Sequence, residues 1–180
     1  MDENDAIQLL KKHASSDTDY EGVLEHCRAV QKLALEVAEK IKSLHPELSV
    51  DVEFIRTAAI LHDIGRFRYP PGKDSIKHGV AGAEILRAEG VDDRYALVCE
   101  RHLGAGITAS DVRKQGLPIP VHDYVPLSIE EKIITYADNR LWGDTPKDSL
   151  VVVKRFTDEL GDAVGQKVKK LHDEIEALME

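Results

Sequence analysis

Cysteine is scarce in this chain. Cys27 and Cys99 stand far apart with no C-x-x-C pair, which excludes a disulfide framework and leaves two reduced, buried thiols as the expectation. Long hydrophobic runs are absent as well. The acidic start Met1-Asp2-Glu3-Asn4-Asp5 leads into none, so neither a signal peptide nor a membrane span is expected, and the expected location is cytoplasmic. Positive charge is in deficit: 24 Lys and Arg against 33 Asp and Glu give a net charge of -9. That balance argues against general nucleic-acid binding and against docking on anionic membranes. A phosphate site on such a surface needs local positive charge, which metal ions can supply. No internal repeat, low-complexity segment or strand pattern is visible.

What the chain does have is helical periodicity. Its 180 residues, 42% of them hydrophobic, suit one domain with a substantial core. The spacing predicts a short charged helix over 2–13 and a longer one over about 20–44, capped by Asp19, with Val23, Cys27, Val30, Ala34, Val37, Ile41 and Leu44 on one face. A helix capped by Asp51 runs to about Asp63, followed by a loop over 64–77 centred on Pro70-Pro71-Gly72. Further helices are expected at about 78–89, 92–103 and 108–115, the last stopped by Gly116. A Pro-bearing loop over 117–126 precedes a helix over about 129–142 with a Ser128/Glu131 capping box. Asp144-Thr145-Pro146 breaks that helix. The tail, about 148–179, divides at Gly161 and carries an apolar stripe through Val153, Phe156, Leu160, Val164, Val168, Leu171, Ile175 and Leu178. The stripe suits core packing or, alternatively, a homodimer seam. The fold class is all-α.

Four of these helices aim an ionisable side chain at the interior. His26 lies one turn before Val30, His62 one turn after Ala58, His102 one turn after Val98, and Asp138 between Ile134 and Leu141. Asp63 sits beside His62. A lone His on an apolar face is ordinarily a hydrogen-bonded core residue. Buried carboxylates are harder to accommodate, since an unpaired one costs several kcal/mol. Asp63 and Asp138 among several imidazoles resolve that cost jointly if a divalent ion lies between them. Imidazole nitrogen and carboxylate oxygen suit Fe, Mn, Co, Ni or Zn.

The segment Ala59-Ile60-Leu61-His62-Asp63-Ile64-Gly65 resembles the HDIG signature of the HD-domain superfamily of metal-dependent phosphohydrolases. His26 matches that family's early His and Asp138 its late Asp. With His78 and His102 added, the pattern is similar to the two-metal branch that includes symmetrical diadenosine tetraphosphate hydrolases. The likeness covers about residues 20–142, with 148–179 as a C-terminal extension. It implies an HD-domain helical bundle, one or two divalent metal ions held by His26, His62, Asp63, His78, His102 and Asp138, and hydrolysis of a small-molecule phosphate substrate, nucleotide or related. In that expectation Asp63 bridges two ions, with His26, His62 and Asp138 on one and His78 and His102 on the other. Asp63, His78 and His102 are the expected catalytic residues. The acidic residue that some single-metal relatives carry shortly after the HD dipeptide is missing here, and Gly65 is expected to end the helix in a left-handed conformation.

Arg66, Lys77 and Arg140 are the candidate phosphate-binding cations, with Arg68 and Arg101 also nearby in sequence. A phosphate would suit Lys77 beside the free N–H groups of a helix starting near His78. The loops at 64–77 and 104–126 are candidate lids. His122-Asp123, a second HD dipeptide, lies in a Pro-rich stretch and reads as a decoy. His13, His45 and His172 read as surface residues, and Trp142 and Tyr136 as packing residues. Two other functions use the same ligands: a di-iron HD-type oxygenase and a non-catalytic metal-stabilised binding module.

Overall fold

The computed structural model describes residues 1–143 and 145–180. Helix α1 spans Glu3–His13 and α2 spans Asp17–Leu44. The 28 residues of α2 make a rod about 42 Å long. Its cap is Ser16, whose side chain accepts from the Asp19 amide. The cap therefore lies three residues before the expected one, and Asp19 instead lies in the first turn, where its charge suits the N-terminal end of the helix dipole. Helix α3, Val52–Leu61, is capped by Asp51 as expected, through the Phe54 amide at 3.0 Å.

Two 3₁₀ turns, Ile64–Phe67 and Ser75–Lys77, flank the Pro-Pro-Gly segment. Helices α4 (His78–Ala88) and α5 (Asp93–Arg101) follow, then α6, Ala109–Gln115. A Thr108/Asp111 capping box opens α6, and Gly116 at φ 61° closes it. Helix α7 spans Ile129–Arg140. Ser128 caps it through the Glu131 amide, but the Glu131 carboxylate bonds the Leu127 amide, one residue earlier than a capping box requires. Leu141–Trp142 (β1) leaves the expected helix and pairs antiparallel with Thr145–Pro146 (β2), a two-residue ladder that the helical periodicity did not announce. Asp144, part of the expected break, lies outside the described residues. Helices α8 (Ser149–Leu160) and α9 (Asp162–Ala177) complete the chain.

Two apolar clusters hold these elements. One joins α2, α3 and α7 through Val30, Ala34, Ile55, Ala58, Ile134 and Ala137, and α9 adds Ile175. The other joins α1, α3, α4 and α5 through Leu10, Ile60, Leu61, Ile85, Leu86 and Cys99. Helix α1 and the tail thus both contribute to the packed interior. The tail stripe is used unevenly: Val168, Leu171 and Ile175 are buried, whereas Leu160 is exposed. His172, expected at the surface, is buried between α9 and Tyr136 of α7. Among the described residues, no helix is long and apolar enough to cross a membrane.

Candidate metal centre

Five elements converge on one point. Helix α2 supplies His26, the end of α3 supplies His62 and Asp63, and the first residue of α4 supplies His78. His102 caps the end of α5, and Asp138 lies in the last turn of α7. His62, Asp63, His78 and His102 are buried; His26 and Asp138 sit at the rim.

Glycines make this convergence possible. A Cβ on Gly65 would collide with the His78 carbonyl and come within 2.6 Å of the Gly82 amide nitrogen. One on Gly79 would lie 2.7 Å from the Cys99 carbonyl oxygen. The turn after Asp63, the start of α4 and the end of α5 therefore pack backbone against backbone. Gly65 does not adopt the left-handed conformation expected of it; its role is close approach to α4. The turn needs no special φ because the chain passes from α3 directly into the 3₁₀ turn.

The imidazoles are fixed by a repeated device. Nδ1 of His62 donates to the Ala59 carbonyl and Nδ1 of His102 to the Cys99 carbonyl, both at 2.8 Å; Nδ1 of His78 donates to the Ser75 carbonyl. A carbonyl oxygen only accepts, so each Nδ1 carries a proton and each ring, when neutral, presents a bare Nε2. Those nitrogens face carboxylate oxygens and one another. His78 Nε2 is 3.0 Å from His102 Nε2 and 3.0 Å from Asp63 Oδ1, and His102 Nε2 is 3.4 Å from that oxygen. Asp63 Oδ2 lies 3.6 Å from His26 Nε2 and 3.9 Å from His62 Nε2. Asp138 Oδ1 lies 3.0 Å from His26 Nε2 and 3.8 Å from His62 Nε2.

Lone pairs set against lone pairs repel unless a proton or a cation lies between them. Ligands at ~2.1 Å from one ion stand ~3–3.5 Å apart, close to the spacings here. His62 Nε2 is buried without a hydrogen-bond partner. The donor set therefore fits a divalent cation, and two trios, His26/His62/Asp138 and His62/Asp63/His102, each gather within 4.8 Å.

The electrostatics agree. Burial opposes ionisation of Asp63 and is the largest influence on it. With protons in place of a cation, a charged His62 and Nε2–H hydrogen bonds from His102 and His78 outweigh it and hold the carboxyl well below the usual range. Asp138 is likewise held low against burial, by His26 and His62. Burial pushes His102 below an ordinary histidine. Both cysteines are buried thiols pushed up mainly by desolvation, as expected of inert core residues.

A cleft of about 580 Å³ opens over His26, Asp63 and Asp138. Of the expected phosphate-binding cations, Arg66 lines it, its Nε 3.2 Å from both Asp63 oxygens. The structure does not bring the others there. Lys77 pairs with Asp74 at 2.9 Å, and Arg140 donates to the Lys147 carbonyl and the Tyr136 hydroxyl. Arg68 pairs with Glu84 and Arg101 with Glu131. Pro70 and Pro71 line the cleft, whereas the 104–126 segment borders a different hollow, through Ala105, Gly106 and Thr108. Sequence reasoning missed the α2 lining residues Thr18, Asp19 and Gly22, although their places eight, seven and four residues before His26, on one helix face, were the available signal. His122-Asp123 is an exposed turn in which Asp123 accepts from the Ala109 amide.

The chain is 42% identical to the protein MJ0778 of Methanocaldococcus jannaschii, covering 99% of each. It is 36% identical to a tRNA (cytidine(56)-2'-O)-methyltransferase of Picrophilus torridus over 98% of this chain and 47% of that protein, so it spans about half the length of that relative. The HD domain of the L. monocytogenes phosphodiesterase PgpH has the same fold, with a TM-score of 0.54 at 17% identity over 96% of this chain and 95% of that one. It has also been solved with cyclic-di-AMP. Residues 23–142, which run from just before His26 to just after Asp138, match the HD domain, and the chain belongs to that family.

Proposed function

We propose that this chain is a divalent-metal-dependent phosphohydrolase acting on a small phosphate ester or anhydride of nucleotide type. The observation that carries this reading is the meeting of bare Nε2 atoms with Asp63, above all His78 Nε2 at 3.0 Å from His102 Nε2. His26, His62, Asp63, His78, His102 and Asp138 would hold the metal. Divalent cations in such a set supply a water of lowered pKa, from about 15.7 to about 7 for zinc, and neutralise charge on phosphate oxygens.

The chain's own contribution is positional. Asp63 offers one oxygen to His26 and His62 and the other to His78 and His102, an arrangement suited to joining two cations. Arg66 holds Asp63 through Nε. Among the described residues no partner engages its terminal nitrogens, which can meet a phosphate as a fork. With one cation only, His78 and His102 instead hold and move a proton at Nε2. The nucleotide class is supported by the cyclic-di-AMP bound to the similarly folded PgpH domain. It is supported also by the tRNA methyltransferase that contains a similar segment as about half its length.

The test is metal analysis of anaerobically purified protein beside a phosphate-release screen over nucleotides. Metal-dependent phosphate release is the expected result. Bound iron with oxygen consumption and no phosphate release would favour the oxygenase, and ligand binding without turnover the binding module. No metal after reconstitution would overturn the reading.

A further inference from the structure

One stripe of α2 forms a wall of the cleft: Thr18, Asp19, Gly22, Val23 and His26 recur at spacings of three and four. Gly22 stands on this stripe one turn, about 5.4 Å, from the metal-facing His26. Glycine inside a helix weakens it relative to alanine, so its presence asks for a reason. Packing gives none: an added Cβ would meet nothing within 4 Å. Backbone conformation gives none either, because Gly22 is helical and has no positive φ. Gly22 instead borders open space and is among the residues that line the cleft. The same cleft is lined by Phe67, Pro70 and Pro71, apolar and stiff, and Arg66 is the one Lys or Arg among its lining residues. Asp19 adds a negative charge two turns from His26.

Resting on the phosphohydrolase reading, we infer that Gly22 is a specificity-determining residue: it keeps open a slot beside Phe67, Pro70 and Pro71 for a flat, uncharged group, such as a nucleobase, attached to a single phosphate. A side chain at this position shuts out that group and leaves the phosphate end untouched. An extended polyphosphate is disfavoured in the slot, since only Arg66 opposes the nearby carboxylates.

The test uses Mn²⁺-loaded wild-type protein, Gly22→Ala and Gly22→Leu, with calorimetric titration of inorganic phosphate and of the 5′-thiophosphates of adenosine, guanosine, cytidine and uridine. In the wild type at least one nucleoside thiophosphate binds more tightly than phosphate. Gly22→Leu weakens that binding tenfold or more and Gly22→Ala less, while phosphate affinity stays within twofold, metal content is unchanged and Tm does not fall. Unchanged nucleoside affinity in Gly22→Leu overturns the inference. So do a parallel loss of phosphate binding or a fall in Tm for Gly22→Ala, which would make the glycine structural. Wild-type protein that binds phosphate but prefers none of the four nucleosides refutes the slot alone. Wild-type protein that binds neither refutes the phosphohydrolase reading, and the inference falls with it.

Discussion

His78 Nε2 lies 3.0 Å from Asp63 Oδ1, although the two residues come from different elements and Nδ1 of the same ring is committed to the Ser75 carbonyl. Among the described residues, Asp63 is the one carboxylate with imidazoles against both of its oxygens. Asp63→Ala is therefore expected to lose all bound metal and all hydrolysis while helical content by circular dichroism stays near wild type. Replacing His78 and His102 together removes only the second equivalent, leaving His26, His62, Asp63 and Asp138 to hold one ion. Elemental analysis of the three proteins decides this. Full metal content in Asp63→Ala would end the assignment.

Arg66 separates metal binding from substrate binding. Its guanidinium touches Asp63 but donates no lone pair to a cation. A charged hydrogen bond to phosphate contributes about 1.5–3 kcal/mol. Arg66→Ala should thus raise KM for the substrate found by phosphate-release screening about 10- to 100-fold, with metal stoichiometry unchanged. A variant that drops its metal would place Arg66 in the support of the centre rather than at the substrate.

The glycine of the His62-Asp63-Ile64-Gly65 tetrad has a steric explanation that gives a further prediction. Any side chain on Gly65 runs into backbone atoms of α4, which cannot swing aside as a flexible side chain would. Gly65→Ala is expected to destabilise the fold by about 3 kcal/mol or more, the range of overpacked or strained sites. His78 would move with the displaced helix, so the second metal equivalent should weaken as well. Denaturant unfolding and metal titration of the variant test both effects. A wild-type midpoint would show that α4 can retreat without cost.

Much of this site was legible because its ligands ride on long amphipathic helices. His26, His62, His102 and Asp138 each stand a turn from an apolar core residue, and a 3.6-residue period converts that spacing into an inward direction. His78 opens α4 and has no preceding turn to give it a face; only the family resemblance singled it out. Gly79 and Gly82 were illegible in their role. A small residue in a helix reads as a weak helix former until its neighbours are known, here the Cys99 carbonyl for Gly79 and the Cys99 side chain and Gly65 amide nitrogen for Gly82. The cations show the opposite error. Lys77 is next to His78 and Arg140 two residues after Asp138, but helical neighbours point in different directions, and each found a nearer partner. His172 was misjudged because its burial depends on how α8 and α9 fold back onto α7, which no local pattern encodes.

That burial makes His172 a measurable pH liability far from the metal ligands in sequence. Its side chain is 1% exposed. Ser149 Oγ spends its proton on Glu176, so His172 Nδ1 donates to that oxygen at 2.6 Å and Nε2 is left bare, buried and unpartnered. Protonating Nε2 would put an unsolvated charge there. Burial accordingly pushes the imidazole down to about 4; Glu176 and Asp173 favour the charged form and Arg140 opposes it. Tyr136, whose ring packs against the imidazole, is itself pushed up by burial and stays neutral. With the folded value below the unfolded one of about 6.5, the unfolded chain binds the extra proton between those two pH values. The neutral ring's contribution is fully present above pH 6.5 and is lost as pH falls through 4, by then on the order of 3 kcal/mol. His172→Leu removes the titration. Urea unfolding at several pH values from 7 to 4 should show wild type losing that much stability relative to the variant, with other acid-sensitive groups cancelling in the difference. Parallel pH profiles would mean that the ring gains a partner when charged, and that the tail opens to water before it protonates.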